Sequence, residues 1–592
     1  MKKIAFGFRS STAAISRVTA VATAVAITVA ASVILTGCKN RLLVDPDALR
    51  LPLFSEILSL DPAAADDATT AIVLTQLYDT LYETRYLGGK FTHQPLIAAA
   101  LPSFDAKTSK LTIKIRPDYR FRTPNGERMI DALDIVYSIK RLALPQFSPP
   151  KELSFLIEGF ETLRDELKKA PLKTQRQLID KPLASVMAKD PTTVVFTLKK
   201  PFKGFSQILT HLKTAPIPRE CFDAYFDGKP PFLKSLPCES GPYILKDHNI
   251  GKKIVLVQRP KYPPSFFPTL AHERESASVL LPMNEELTFQ IYASSKPALS
   301  DFIEEDTDAY PLSSLEAKQN ITSNTELKPE LREKFIKVAV SYPTENFFLA
   351  PNFSDRIVGA SNPSLRKAIG EIINKAELIQ LAANPHSIAM VSFAALSREN
   401  VKDLKLKHQW SVESSEAKAK NFLTSSGYPE GDGVPTLTID FPNSDETSHQ
   451  VFEYFKKRLG LIGLKIQARF QTLEEYQKRL KAGDFQLAFY QWQTDYPDPI
   501  AEYSIISELL ETEALTRAGI KTFDLRSQWK TLFTQYFADQ KKEPLEQFII
   551  DNELVIPLYH SSQVWLIHPW AKFFEPTGFV SQSFKWIKIN GR

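Results

Sequence analysis

Two apolar periods take turns along this chain, and their alternation restricts the fold class more than any single motif does. "LTIKIR" (111–116) sets Leu111, Ile113 and Ile115 against Thr112, Lys114 and Arg116, the two-residue period of a half-buried strand. "TTVVFTLKK" (192–200) and "KKIVLVQR" (252–259) read as further strands. Elsewhere the period lengthens. "DALDIVYSIKRL" (131–142) opens on a candidate Asp131 cap and sets Leu133, Val136 and Tyr137 on one helical face. "SLRKAIGEIINKAELI" (364–379) predicts one amphipathic helix through Leu365, Ala368, Ile369, Ile372 and Ile373. From 451 the order is helix, strand, helix: "VFEYFKKRLGLIG", "LKIQARF", "TLEEYQKRLKAG", with Phe452, Phe455 and Leu459 on a shared face. This irregular mixture predicts α/β lobes rather than a bundle or a sandwich. At 592 residues the chain exceeds one core, so at least two compact units are expected.

The start of the chain is a different kind of segment. "MKKIAFGFR" is basic, "VTAVATAVAITVAASVIL" (18–35) is uncharged, and "TGCKN" follows, the layout of an export signal. The uncharged run is also close to membrane-spanning length, so an uncleaved anchor is the competing reading. Thr and Ala dilute it, and Cys38 stands where a cut would need it. The leader holds Lys2, Lys3, Arg9 and Arg17 and no acid; taking these four charges from the net +5 leaves +1. A nearly neutral body argues against nucleic acid as a partner.

Cys221 and Cys238 remain as an even pair, which an oxidising compartment would bridge and a reducing one would leave as two thiols. Neither has a Cys or His neighbour at metal-ligand spacing, so no metal and no cofactor is expected. The nine His are scattered, and the chain has no His-Glu-Xaa-Xaa-His, no Gly-Xaa-Ser-Xaa-Gly and no Gly-rich phosphate loop. No motif points to an enzyme.

"YQWQTDYPDP" (490–499) sets a carboxylate, Asp495, three residues after Trp492 in a stretch stiffened by prolines. On residue chemistry alone, Asp495 is either a turn residue bonding its own backbone or a fixed charge awaiting a partner. Asp498 keeps the turn reading.

Taken in order, the segments resemble those of the solute-binding proteins of bacterial peptide ABC importers, the oligopeptide- and dipeptide-binding type, from about 58 to 580. "SLDPAAADDATTAIVLTQLYDTLYE" (59–83) is similar to the family's opening Leu-Asp-Pro segment and the helix after it. "PLIAAALPSFDAKTSKLTIKIRPDYRFRTPNGERMIDALDIVYSIKRL" (95–142) resembles its signature stretch. "KDPTTVVFTLKKPF", "GPYILKD" with "KIVLVQRPKY", and "NPSLRKAIGEIINKAELI" resemble further blocks, although Asn374 stands where the family has Asp. Leu35-Thr36-Gly37-Cys38 resembles the lipobox of bacterial lipoproteins.

The resemblance implies a two-lobed periplasmic-binding-protein fold of type II. Mixed sheets flanked by helices, an extra inserted subdomain and a hinge between the lobes come with it. Residues 1–37 would be the signal peptide; 41–86, 205–340 and 556–592 the first lobe; 87–204 the inserted subdomain; 341–555 the second lobe. Cys38 would carry the lipid that holds a monomer at the periplasmic or cell-surface face of a membrane, two acyl chains binding stably where one does not. The implied partners are a peptide ligand and an ABC permease with its ATPase.

In the cleft, Asp495 would receive the peptide's α-ammonium group, with Trp492 beside it. The main chain of Gln491, Trp492 and Gln493 would add to the peptide as a strand. Asp66, Asp67 and Ala68 would reach the peptide from the first lobe, and Tyr559 from the crossover near the hinge. Better-known members carry a basic residue shortly before the Trp; Phe489 is here instead, which leaves the peptide's carboxyl end without a candidate. Two other readings stay open: the same fold with a muropeptide, metal chelate or sugar, and a surface lipoprotein acting as adhesin or sensor.

Overall fold

The computed structural model describes residues 48–592 apart from 88–89, 226–237, 264, 267–277, 322–325, 395–405, 511–519 and 580–581. The leader and Cys38 lie outside the described residues.

Two long antiparallel strands, Lys337–Pro351 and Ile556–Ile567, carry the chain between two lobes. At one end Val564 and Leu566 join a core with Tyr310 and Phe302, beside strand Ala309–Leu312. At the other, Leu349, Ile556 and Leu558 join a core with Leu365, Ile369 and Ile439. Between the two cores the pairing slips three times, at Val340/Pro343, Pro343/Glu345 and Phe347/Phe348. Pro343 has no amide hydrogen to give the ladder, and each slip bends and twists the strand locally.

These strands sit inside a seven-stranded sheet. On the second-lobe side Leu487–Gln493 pairs antiparallel with Lys337–Pro351. Leu437–Phe441 then runs parallel to both Leu487–Gln493 and Ile466–Phe470. Parallel neighbours need helical connections, and helices Glu446–Gly460 and Leu473–Ala482 supply them. Asp445 caps the first; Thr472 and Glu475 form a capping box on the second, which Gly483 ends in the left-handed region. The first lobe is built on a four-stranded sheet, Leu49–Leu53, Glu286–Ile291, Lys253–Gln258 and Tyr243–Asn249. A second four-stranded sheet, Ser103–Asp105, Lys110–Lys114, Thr193–Thr197 and Val186–Asp190, falls within 87–204.

Two expectations change. Helix Ala132–Arg141 buries Ala132, Ile135 and Ile139, while Leu133 is 65% exposed and Val136 and Tyr137 are half-buried. Apolar residues occur on both sides of this helix, and the Asp131–Asp134 capping box, with Arg128 gripping Asp134, fixes the other side inward. The stretch 364–379 is two helices, Pro363–Ile372 and Lys375–Ala382. Asn374 causes the break: its side chain accepts the Glu377 amide hydrogen at 3.1 Å and starts the second helix. All five predicted apolar residues are buried nonetheless.

Aromatic contacts tie segments that lie far apart in the chain. Phe155 lies 4.8 Å from Phe533, and Phe202 lies 5.1 Å from Phe537, ring centre to ring centre. Phe533 and Phe537 belong to helix Ile520–Asp539.

Candidate functional site

The segment after strand Leu487–Gln493 is held from several directions. The Thr494 amide and hydroxyl both donate to the Thr344 carbonyl, at 3.0 and 3.1 Å. Asp498 accepts the Ile500 amide hydrogen at 2.9 Å and caps helix Pro499–Leu509. Tyr496 is buried and donates to Glu152, far away in the chain, at 2.8 Å. Asp495 lies between these fixed points, its side chain 27% exposed.

That side chain lines a small, partly open pocket together with Thr75, Asp79, Glu83, Phe579 and Lys585. Lys585 is buried and paired with Glu83 at 2.8 Å. The Tyr262 hydroxyl donates to Asp79 at 2.7 Å, and burial pushes the Asp79 carboxyl up. The Oγ atoms of Thr84 and Ser583, both in the wall of the cavity, are buried without a hydrogen-bond partner among the described residues. Groups of this kind cost free energy unless something polar meets them.

Asp495 faces His211, Oδ2 to Nε2 3.5 Å. The Lys213 amide hydrogen points to His211 Nδ1 at 3.1 Å, which makes Nδ1 the acceptor and leaves Nε2 to carry the ring proton towards Asp495. Burial would push the Asp495 carboxyl up, but His211 beside it, with the Lys213 ammonium behind, holds it below the usual range. Asp495 is therefore a carboxylate at neutral pH, with Oδ2 turned towards His211.

The other expected residues divide. Trp492 packs half-buried against a large core that includes Ile500, Tyr503 and Trp565, and its Nε1 is buried without a partner among the described residues. Gln491, Trp492 and Gln493 pair on one edge with Phe347, Asn346 and Glu345. On the opposite edge their strand pairs with Leu437–Phe441 only at Leu487 and Ala488. Beyond those two residues, that edge has no strand partner among the described residues. Gln493 donates to the Gly578 carbonyl at 2.6 Å and lines a second cavity with Ala68. Gly578 has φ +85°, and a Cβ there would meet Thr344 Oγ1 at 2.6 Å, so glycine is required.

Asp66 is exposed and paired with Lys213 at 2.5 Å. Asp67 is used locally, capping helix Ala68–Leu77 through the Thr70 amide at 2.8 Å. The expected cleft-facing Tyr559 needs correction: it is 3% exposed and stacks on Phe347 at 4.5 Å inside the second-lobe core. The pleat explains this, because a strand buried on both faces turns its aromatic side chains into packing. Cys221 and Cys238 are joined as a disulfide, Cα to Cα 6.5 Å.

Sequence reasoning passed over His211, Lys213, Glu152, Glu83 and Lys585. No period or motif marks them, since distant parts of the chain bring them to Asp495. Asp61 was read only as part of a motif. It forms a two-pronged pair with Arg141, at 2.8 and 2.9 Å and fully buried, and so anchors the turn that leads to Ala68.

Residues 92–508 match the family described as bacterial extracellular solute-binding proteins, family 5 Middle. The chain belongs to that family. This family 5 protein is 23% identical over 529 residues to the periplasmic oligopeptide-binding protein OppA of Escherichia coli (strain K12), covering 87% of this chain and 88% of OppA. Among solved structures, the pheromone receptor PrgZ superposes with a TM-score of 0.68 at 20% identity, over 92% of this chain and all of PrgZ (100%). The Escherichia coli murein tripeptide binding protein MppA superposes with 0.69 at 18% identity, over 93% and 99% of the two chains. The fold is the mixed α/β, two-lobed type II architecture. As a family 5 member the chain is a solute-binding protein and not an enzyme. Among the described residues no helix is long and apolar enough to cross a membrane, and no group of three or more His, Cys, Asp or Glu could hold a metal ion.

Proposed function

We propose that this chain is a lipid-anchored receptor outside the cytoplasm. It captures oligopeptides between its lobes and delivers them to an ABC permease and its ATPase. Asp495 is the residue on which the reading turns. It is a carboxylate lining an interlobe cavity, with one oxygen already held by His211. A peptide's α-ammonium group supplies the missing cation, and exclusion of water on closure strengthens the pair. Gln491, Trp492 and Gln493 offer main-chain groups along the open edge, and Thr84 and Ser583 offer hydroxyls for the peptide backbone.

Calorimetry with a free tripeptide and its N-acetylated form tests the reading. Asp495→Ala is expected to weaken binding of the free tripeptide by roughly 2–5 kcal/mol, as for one partner removed from a buried charge pair. N-acetylation is expected to do the same in the parent protein. Equal affinity for both peptides would exclude the ammonium anchor.

A ligand other than an ordinary peptide is the second reading, and one observation favours it. Lys585 is the only basic side chain among the described residues of the larger cavity, and Glu83 already holds it. A free peptide carboxylate therefore has no ready partner there. Relatives of this size bind varied solutes by name, including the glutathione-binding protein GsiB and MppA. Native mass spectrometry of the purified protein separates the readings by the mass of what it carries.

A further inference from the structure

Two phenylalanines stand against both rules that usually place such a residue. Phe335 has φ +55° and is 77% exposed; Phe573 has φ +61° and is 56% exposed. The left-handed region suits Gly or Asn and crowds a bulky side chain, while apolar rings gain by leaving water. At these exposures neither ring fills a core, so neither local conformation nor packing accounts for it. Exposed apolar groups held at backbone outliers point to a surface that something covers.

The two rings flank one hydrogen-bonded hub, Asp308, close to Ala48, where the described chain begins. Arg592 donates to both Asp308 oxygens and to the Ala48 carbonyl, each at 2.8 Å. Half-buried Trp570, three residues before Phe573, donates to Asp308 at 2.8 Å. The Arg50 amide donates to Asp308 and its guanidinium to the Glu305 carbonyl, and Glu305 pairs with Lys334, the neighbour of Phe335. Ile303, 38% exposed, ends helix Ser295–Ile303 two residues before Glu305.

Ala48 follows Cys38 by ten residues. Even fully extended, that length spans at most about 35 Å. A bilayer holding a lipid on Cys38 would therefore lie within that distance of Ala48. A tether raises local concentration, so a contact too weak to hold an untethered protein is still populated. The exposed charges around the rings are of both signs, Arg332, Lys337 and Lys572 with Glu304, Glu330 and Glu333. They give no net pull towards an anionic or a cationic surface, which leaves apolar burial as the attraction.

We propose that Ile303, Phe335, Trp570 and Phe573 form a docking surface that seats the protein on the bilayer carrying its own anchor, with the rings entering the headgroup layer. The inference rests on the lipid-anchored reading above. It fits a neutral lipid surface, where aromatic side chains settle at the boundary of water and hydrocarbon.

The test is hydrogen exchange on the lipidated protein in phosphatidylcholine vesicles, with flotation of the vesicles as the measure of anchoring. Amides of 332–337 and 570–574 are expected to exchange about tenfold more slowly there than in the Cys38→Ser protein in solution, as for a surface covered about nine-tenths of the time. Phe335→Asn with Phe573→Asn puts a residue suited to left-handed backbone at both positions, so the fold is kept. That lipidated double variant should still float with the vesicles and lose the slowing. Flotation of the parent without slowing overturns the docking surface and leaves the anchor standing. Equal slowing in the double variant overturns it as well, since the rings would then not be what holds the surface. Slowing of the Cys38→Ser protein that grows with its concentration makes a second copy the occupant and overturns the membrane. A parent that does not float overturns the lipid anchor and the docking with it.

Discussion

Tyr496 and Glu152 join two distant segments of the chain through one buried hydrogen bond, Oη to Oε1 2.8 Å, one residue from Asp495. Glu152 is 2% exposed, and burial pushes its carboxyl up to about 7; its backbone hydrogen bond and the Tyr496 bond offset this only in part. The protonated form suits the closed contact. Its stabilisation is complete below the ordinary glutamate value and is lost as pH rises through about 7. Glu152→Gln keeps an acceptor for Tyr496 and cannot ionise. The variant is expected to gain on the parent by roughly 3 kcal/mol between pH 5 and pH 8, from the shift of the carboxyl. Denaturant melts of both proteins at the two pH values check it, the difference between them isolating Glu152 from other buried acids.

His211 carries its ring proton on Nε2, as the Lys213 amide requires, and so orients Asp495 without cancelling its charge. His211→Ala should therefore weaken tripeptide binding by roughly 1 kcal/mol, the worth of one hydrogen bond. His211→Gln, which restores a donor, should recover part of it. Affinities of the alanine variant equal to the parent's would place His211 outside the recognition of ligand.

Arg141 and Asp61 form a fully buried pair. Arg141→Ala strands a carboxylate in the core and is expected to cost about 3–5 kcal/mol of stability, measured by urea unfolding. Arg141→Met with Asp61→Leu should recover most of that loss, since apolar replacements of a buried pair are often neutral. A small loss in the single variant would show that water reaches Asp61.

Cys38→Ser should move the protein from the membrane fraction to the soluble fraction of fractionated cells. Retention in the membrane would support an uncleaved N-terminal helix in place of a lipid.

The α/β class was legible because burial follows period. Leu111 and Ile113 are fully buried while Lys114 is exposed, as alternation requires. Trp492 and Asp495 stand out in the sequence because their residue types are unusual beside paired prolines. The turn of helix Ala132–Arg141 was not legible, because Ala132 and Ile135 compete with Leu133 and Val136 for the core and only the packed neighbours decide. His211, Glu152 and Lys585 were invisible for a related reason. Each carries its role through a partner on a distant segment, and a lone His, Glu or Lys in sequence has no pattern to betray that. Tyr559 was misread because strand Ile556–Ile567 is buried on both faces, so its register says nothing about which side meets solvent.

The interrupted ladder around Pro343 has a mechanical consequence. Where strands are regularly bonded, twisting one about the other breaks bonds in sequence; where the register has already slipped, the same rotation is taken up by a few torsions at little enthalpic expense. Each half can then swing as a stiff body, and the energy separating wide from narrow gapes resides mainly in what touches across the divide: the edge-to-face Phe155–Phe533 contact, the tyrosine bond and any bound guest.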